Sequence, residues 1–365
     1  MPVWFQKTEE GGRLMHRRTF LLSAAAGALA AGVGALPRLG YAQSRPFTFT
    51  SWGGALSDAE KSAFTDPFAE EKGIQIVNTS PTETAKIKAM VEAGAVEWDL
   101  VDVGGRTVWQ GDEEGFLEKL DLSKIPNAAD LEKGWVAPHG IATSTGATVM
   151  AWSTASFPDG GPESWADFWD VKRFPGPRGL YKYFYYNYEA ALLAAGVKRE
   201  EVYPLTPEKA EMALGKIKEI KPSVTVWWGS GAQPPQLLSS GELALSSAWS
   251  GRVLAAAQEG APVGYTFKDG IAWANWFVIP KGSPYVELAH ELINFSLAPE
   301  QQAKLLDLKT YGPVLASVTS DADAETRKIL VMTPENLKEM LIISESDAHK
   351  YMLEYEEQWN QLMLQ

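Results

Sequence analysis

Apolar and polar positions alternate with period two from Pro46 to Ser51 (Pro-Phe-Thr-Phe-Thr-Ser), the pattern of a half-buried strand. Ser57-Asp-Ala-Glu60 has the spacing of a capping box. It predicts a helix from Ser57 to about Lys72, stopped at Gly73 and kinked or broken at Pro67. Ile74 to Val77 reads as a second strand. Ile87, Met90 and Val91 then mark one face of a helix over Glu83 to Ala93. Trp98 to Val103 is a third strand, ending at Gly104-Gly105. Strands separated by helices through short loops predict a mostly parallel sheet with helices on both faces.

The alternation resumes further along the chain. Thr206 caps and Pro207 starts a helix whose Ala213, Leu214, Ile217 and Ile220 share a face. Val224 to Trp227 and Glu242 to Ser246 read as strands, Ser250 to Gly260 as a helix, and Ala272 to Ile279 as a strand entering the core. Helices are predicted from Ser283-Pro284 to about Leu297, over Pro299 to Leu308, and over Pro334 to Leu362. No repeat and no low-complexity linker interrupts this order, so two α/β lobes are expected to share hinge strands.

The N-terminal region follows different rules. Arg17-Arg18-Thr-Phe-Leu-Leu precedes a mildly apolar run from Leu21 to Leu36, rich in Ala and Gly. The run is shorter and softer than the roughly 20 apolar residues of a membrane span, and the paired arginines match a twin-arginine export leader. Small residues at Gly40 and Ala42 place cleavage after Ala42, and Met15 is a plausible initiator. Export by the twin-arginine machinery into the periplasm is therefore the expectation. The 323 residues that remain carry a net charge of about −16 and no cysteine. That balance disfavours nucleic acid as a partner and rules out disulfides, thiol nucleophiles and a lipidated cysteine anchor. A soluble monomer is expected.

Catalytic patterns are lacking. Ala142-Thr-Ser144-Thr-Gly146 misses the first glycine of a nucleophile elbow, and neither a phosphate loop nor a dinucleotide fingerprint occurs. His139, His290 and His349 have no metal-ligand spacing, and His290 lies on a predicted apolar helix where a structural role is expected. No cofactor or metal is predicted. Carboxylates could still pair across a cleft, which leaves a glycan-acting hydrolase as the rival class. What the chain has in quantity is rings: 14 Trp, 12 Tyr and 14 Phe, material for a stacking ligand box or for core.

Several segments together resemble the periplasmic spermidine/putrescine-binding proteins of ABC importers. They are Ser51-Trp52-Gly53-Gly54, Trp98-Asp99-Leu100-Val101, Phe116 to Asp121 with Lys124 to Asn127, Glu163 to Asp170, and Trp273-Ala-Asn275-Trp276 through Gly282. The resemblance spans nearly all of residues 45–365. It implies an α/β, two-lobed periplasmic-binding-protein fold, each lobe a mostly parallel sheet flanked by helices, the two joined by hinge strands. Its division would be a leader over 1–42, a first lobe over 43–145 and 273–315, a second lobe over 146–272, and C-terminal helices over 316–365 packing on the second lobe. It also implies a small-molecule ligand in the interlobe cleft, an inner-membrane ABC permease as partner, and Trp52, Trp249 and Trp273 as aromatic walls.

The departures from that family bear on the ligand. The family's carboxylate after the second-lobe Trp motif falls on Asn275, its acidic pair on Tyr183 and Tyr186, and a hydroxyl and an aromatic residue on Gly104 and Arg106. Arg252 follows Trp249-Ser250-Gly251. Burying an ammonium group without a counter-charge costs several kcal/mol, about as much as one buried ion unpaired, so a site stripped of acids suits a polyamine poorly. Guanidinium forks suit carboxylates. A carboxylate-bearing or zwitterionic solute is expected, with a true polyamine receptor as the alternative.

Overall fold

The computed structural model describes residues 45–131, 134–308 and 311–364. The leader, with Arg17, Arg18 and the cleavage site, lies outside the described residues. Strands are β1 (Phe47–Thr50), β2 (Ile76–Thr79), β3 (Leu100–Gly104), β4 (Val136–Ala137), β5 (Gly140–Ser153), β6 (Arg178–Tyr181), β7 (Val224–Trp228), β8 (Leu245–Trp249), β9 (Val263–Val278), β10 (Gly312–Pro313) and β11 (Leu341–Ile342). The main path of the sheet runs β2-β1-β3-β9-β5-β8-β6-β7.

Each end of that path is parallel, as the alternation of strands and helices predicts. β1 pairs in parallel with β2 and β3, and β6 with β7 and β8. The middle is antiparallel: β9 runs against β3 and β5, and β5 against β8. Here the expectation is corrected. β5 is 14 residues long and was not read as a strand, and β9 is 16 residues long, about twice the predicted Ala272–Ile279. β5 is buried on two faces along nearly its whole length, so the period-two signal that identifies half-buried strands is missing. The added half of β9, Val263 to Gly270, is instead partly exposed, with Val263, Tyr265 and Phe267 alternating with Gly264, Thr266 and Lys268.

The reason for their length lies in the core. One hydrophobic cluster gathers Phe47, Phe64, Trp98, Leu100, Ile141, Phe277, Leu292 and Val314. A second gathers Met150, Trp165, Leu180, Tyr188, Ile217, Ile271 and Trp273, with Tyr355, Trp359 and Leu362 from the C-terminal helix. β5 and β9 supply residues to both clusters and pair with each other from Ile141↔Phe277 to Ser153↔Val263. Register irregularities fall between Ala142 and Ser144 and between Thr148 and Met150, local kinks where the paired strands pass from one core to the other.

Several boundaries moved for local reasons. The first helix starts at Gly54 rather than Ser57, because Ser57 Oγ accepts the Gly53 N–H at 2.7 Å from inside the first turn. Glu60 does not close a capping box; it is buried. The helix reaches Lys72 through a π-helical turn over Lys61–Thr65, next to Pro67, where a kink was predicted. The helix from Pro207 to Ile220 forms as read, with Thr206 Oγ1 accepting the Lys209 N–H at 3.4 Å. The predicted Glu242–Ser246 strand lies three residues later, at Leu245–Trp249. The single helix predicted over Pro334–Leu362 is broken into a short turn at Pro334–Leu337, strand β11, and a helix from Glu345 to Leu364.

Candidate functional site

Loops at the C-terminal ends of the parallel strands face one another across the sheet. From the first core come Ser51-Trp52-Gly53-Gly54 after β1 and Gly104-Gly105-Arg106 after β3. From the second come Tyr181 at the end of β6 with Tyr183 to Tyr186 beyond it, Trp228 at the end of β7, and Trp249 at the end of β8 with Arg252 beyond it. Open α/β sheets bind ligands at such strand ends.

The second wall is a continuous run of rings. Tyr181 lies 4.7 Å from Trp228, 6.0 Å from Trp249 and 5.2 Å from Tyr183, between ring centroids. Trp249 stands edge-on to Trp228 at 5.6 Å and to Trp273 at 6.4 Å. Trp273 also meets Tyr186 at 6.4 Å and Tyr311 at 6.5 Å. Four predicted residues, Tyr183, Tyr186, Trp249 and Trp273, therefore belong to one cluster. Tyr181, Trp228 and Tyr311 join it unpredicted. The ring-rich stretch after β6 was the available signal for Tyr181, but nothing in the sequence links Tyr311 to it.

Exposure divides these residues. Trp52 is 41% exposed and Tyr183 44%, whereas Trp273 is only 6% exposed. Trp273 lies over Gly146, which has no room for a Cβ, and its indole N–H donates to Thr148 Oγ1 at 3.2 Å. It is as much core as wall. Asn275 is 4% exposed and its amide donates to Ser144 Oγ at 3.0 Å, so its side chain is held within the sheet.

The two arginines differ. Arg106, on the helix Gly105–Glu114, pairs with Glu356 of the C-terminal helix at 3.2 Å. Arg252 lies in the first turn of the helix Ser250–Gln258, with its guanidinium packed on Gly54 from the opposite wall. No carboxylate pairs with Arg252 among the described residues, and its Nε is buried without a hydrogen-bond partner. The Trp249 indole N–H is also buried and unpartnered. Burial pushes the Tyr311 hydroxyl up to about 12, partly offset by Arg252 beside it.

Carboxylates near the cleft come from places that motif reading did not flag. Glu345 is 7% exposed, accepts the Tyr185 hydroxyl, and fills the space where a side chain on Gly105 would stand. Burial pushes its carboxyl up to about 8. Glu60 and Asp102 form a buried pair under the first wall. Ser51 Oγ donates to Glu60, burial raises Glu60 to about 7, and burial with the neighbouring Glu60 raises Asp102 as well. Glu189, the acid nearest the tyrosine stretch in sequence, is turned inward and accepts the Tyr203 hydroxyl at 2.9 Å. His290 is structural, as read: its Nε2 accepts the Asp121 N–H at 2.9 Å, and its Nδ1 lies 2.7 Å from the Val286 carbonyl. Among the described residues no three His, Asp or Glu side chains gather as a metal site.

Two cores spanned by paired long strands, with a ring-lined cleft at the strand ends, define a periplasmic-binding-protein fold. The chain belongs to the bacterial extracellular solute-binding protein family, whose profile matches residues 63–331. It is similar to the gamma-aminobutyric acid-binding protein of Pseudomonas aeruginosa, 37% identical over 300 residues, covering 81% of this chain and 85% of that protein. It is more distantly similar to spermidine/putrescine-binding periplasmic protein 1 of Haemophilus influenzae, 27% identical over 253 residues, covering 66% and 68%. Among solved structures it resembles the Atu4243–GABA receptor with a TM-score of 0.78 and 33% identity, covering 87% of this chain and 97% of that one. The expected kinship with polyamine-binding proteins is real, and the amino-acid-binding branch is more similar. No helix among the described residues is long and apolar enough to cross a membrane.

Proposed function

We propose that this protein is the periplasmic receptor of an ABC importer for a small zwitterionic solute of the ω-amino-acid kind. The ligand lies between the aromatic wall and the Trp52–Gly54 loop, and is handed to an inner-membrane permease. The observation that carries this reading is Arg252: a guanidinium at the cleft, without a carboxylate partner and with its Nε buried and unsatisfied. A buried donor without a partner costs about 1–3 kcal/mol, and a ligand carboxylate would remove that cost. The unpartnered Trp249 N–H is a second donor for the same anion. Tyr181, Trp228 and Trp249 then offer ring faces to the methylene chain and ammonium group. Arg106, occupied by Glu356, serves to bridge the lobes rather than to hold the carboxylate.

The relative that binds gamma-aminobutyric acid supports this reading over the polyamine one. In the same proposal the lobes follow the division given above, closing about β5 and β9, and the protein is an exported monomer.

The test is calorimetry with gamma-aminobutyrate, spermidine and simple carboxylates at fixed salt. Gamma-aminobutyrate should bind, and Arg252→Ala should weaken it at least about 30-fold, the effect of losing about 2 kcal/mol. Submicromolar spermidine binding that survives Arg252→Ala would return the protein to the polyamine class.

A further inference from the structure

A cavity of about 630 Å3, lined by none of the rings of the cleft wall, lies between the helix Gly105–Glu114, the Trp135 region and the segment after Ala316. Its size is that of a small-molecule site. Trp109, Trp135 and Trp276 line it beside Met332, Ile343 and Glu345. Trp135 and Trp276 stand 6.3 Å apart between ring centroids.

Two features of the lining call for a ligand of particular chemistry. Trp276 is 1% exposed, and its indole N–H has no partner; the indole N–H of Trp109 is likewise buried and unpartnered. Indole is a donor only, so whatever satisfies these groups must bring acceptors. The lining also contains no lysine or arginine, so an anion finds no counter-charge there. Its one acid, Glu345, is 7% exposed and already accepts the Tyr185 hydroxyl, and burial opposes its ionisation, so a cation gains little.

We propose that this cavity, which shares no ring with the cleft wall, is a second binding site for an uncharged ring compound carrying at least one acceptor oxygen. The ring lies against the indole faces and the oxygen receives the N–H of Trp276 or Trp109. The apolar side chains of Met332 and Ile343 favour an aromatic ring over a sugar, whose many hydroxyls would be left unpaired there.

Fluorine NMR on the folded protein tests this with three probes: 4-fluoroacetophenone, neutral with one acceptor oxygen; 4-fluorotoluene, with none; and 4-fluorobenzoate, anionic. The ketone should bind saturably in the millimolar range or tighter, and the benzoate at least about 10-fold more weakly. Replacing both indoles, Trp109→Phe with Trp276→Phe, keeps rings in place and removes the donors. It should weaken the ketone about 10-fold while leaving the toluene unchanged, the size of one lost hydrogen bond. Ala316→Phe, which puts a ring into the cavity from its lining, should abolish binding of all three there while gamma-aminobutyrate binding in the cleft is kept. Absence of saturable ketone binding, ketone binding untouched by Ala316→Phe, or benzoate binding as tight as the ketone and abolished by Ala316→Phe would overturn the proposal. If the Ala316→Phe protein fails to fold, the double Phe variant still decides it. A ketone affinity unchanged in that variant rejects the site.

Discussion

Replacing Glu345 with glutamine should make the protein more stable as pH rises, and the size of the gain follows from its burial. The Glu345 carboxyl is 7% exposed, has the Tyr185 hydroxyl as its hydrogen-bond partner, and has no cation paired with it among the described residues. Burial raises it from 4.5 to about 8 in the folded protein. A carboxyl whose folded value lies above its unfolded one binds more protons in the native state across that window. Its contribution to stability is fully present below pH 4.5 and is lost as pH rises towards 8. The span corresponds to about 5 kcal/mol at 1.36 kcal/mol per unit.

Glutamine has the same shape, accepts the same hydroxyl, and does not titrate. The variant and the parent should therefore differ by a nearly constant amount below pH 4.5. Above it the variant should gain steadily, up to about 5 kcal/mol near pH 9. Urea unfolding followed by circular dichroism from pH 4 to pH 9 measures the difference directly. Titration of the Glu60–Asp102 pair contributes to both curves and cancels in it. A difference that stays flat with pH would refute the reasoning. So would one that moves the other way, because that would mean Glu345 is ionised and held by a cation.

Trp273→Ala should cost about 3–5 kcal/mol of stability, because the ring is 6% exposed and packed into the second core, while Trp273→Phe should fold and lose ligand affinity; thermal unfolding and calorimetry on both variants separate the two roles. Replacing Arg17 and Arg18 together with lysine should strand the precursor in the cytoplasm, seen by fractionation, and normal periplasmic accumulation would refute twin-arginine export.

How much of this was legible in the sequence follows from the kind of signal each part leaves. Amphipathic elements were read well: the Pro207–Ile220 helix shows a clear period because it has one wet face, and β1 because Phe and Thr alternate along it. β5 shows none, because a strand buried on both faces loses its alternation, and β5 is dense in small and hydroxyl residues. The first half of β9 is partly exposed and does alternate, Val263, Tyr265 and Phe267 against Gly264, Thr266 and Lys268, so a usable signal stood there unread. The ring wall was half visible. Trp249, Trp273 and the tyrosines after β6 stand in segments that carry the family likeness, whereas Tyr311 arrives from a distant turn. Arg106 could not be resolved from sequence, since its partner Glu356 lies 250 residues away. Glu345 left no signal either, being an ordinary glutamate at the start of a helix until the fold packs it against Gly105.

Under the proposed function, the placement of charge is what separates this cleft from one built for a polyamine. A receptor for a polycation needs carboxylates aimed into the cleft. Here the buried acids face other partners: Glu60 has Ser51 and Asp102, Glu189 has Tyr203, and Glu345 has Tyr185. Each is also pushed towards its neutral form by burial, which reduces the negative field in the cleft further. The cleft is left with rings, the Trp249 N–H and the Arg252 guanidinium. Arg252 stands on the helix that follows β8 yet packs on Gly54 in the segment that follows β1. Under the proposed function, a carboxylate bound there meets donors of one wall against the backbone of the other, a contact available only when the two are together. Ligand binding then biases closure through the same residue that selects the ligand's charge.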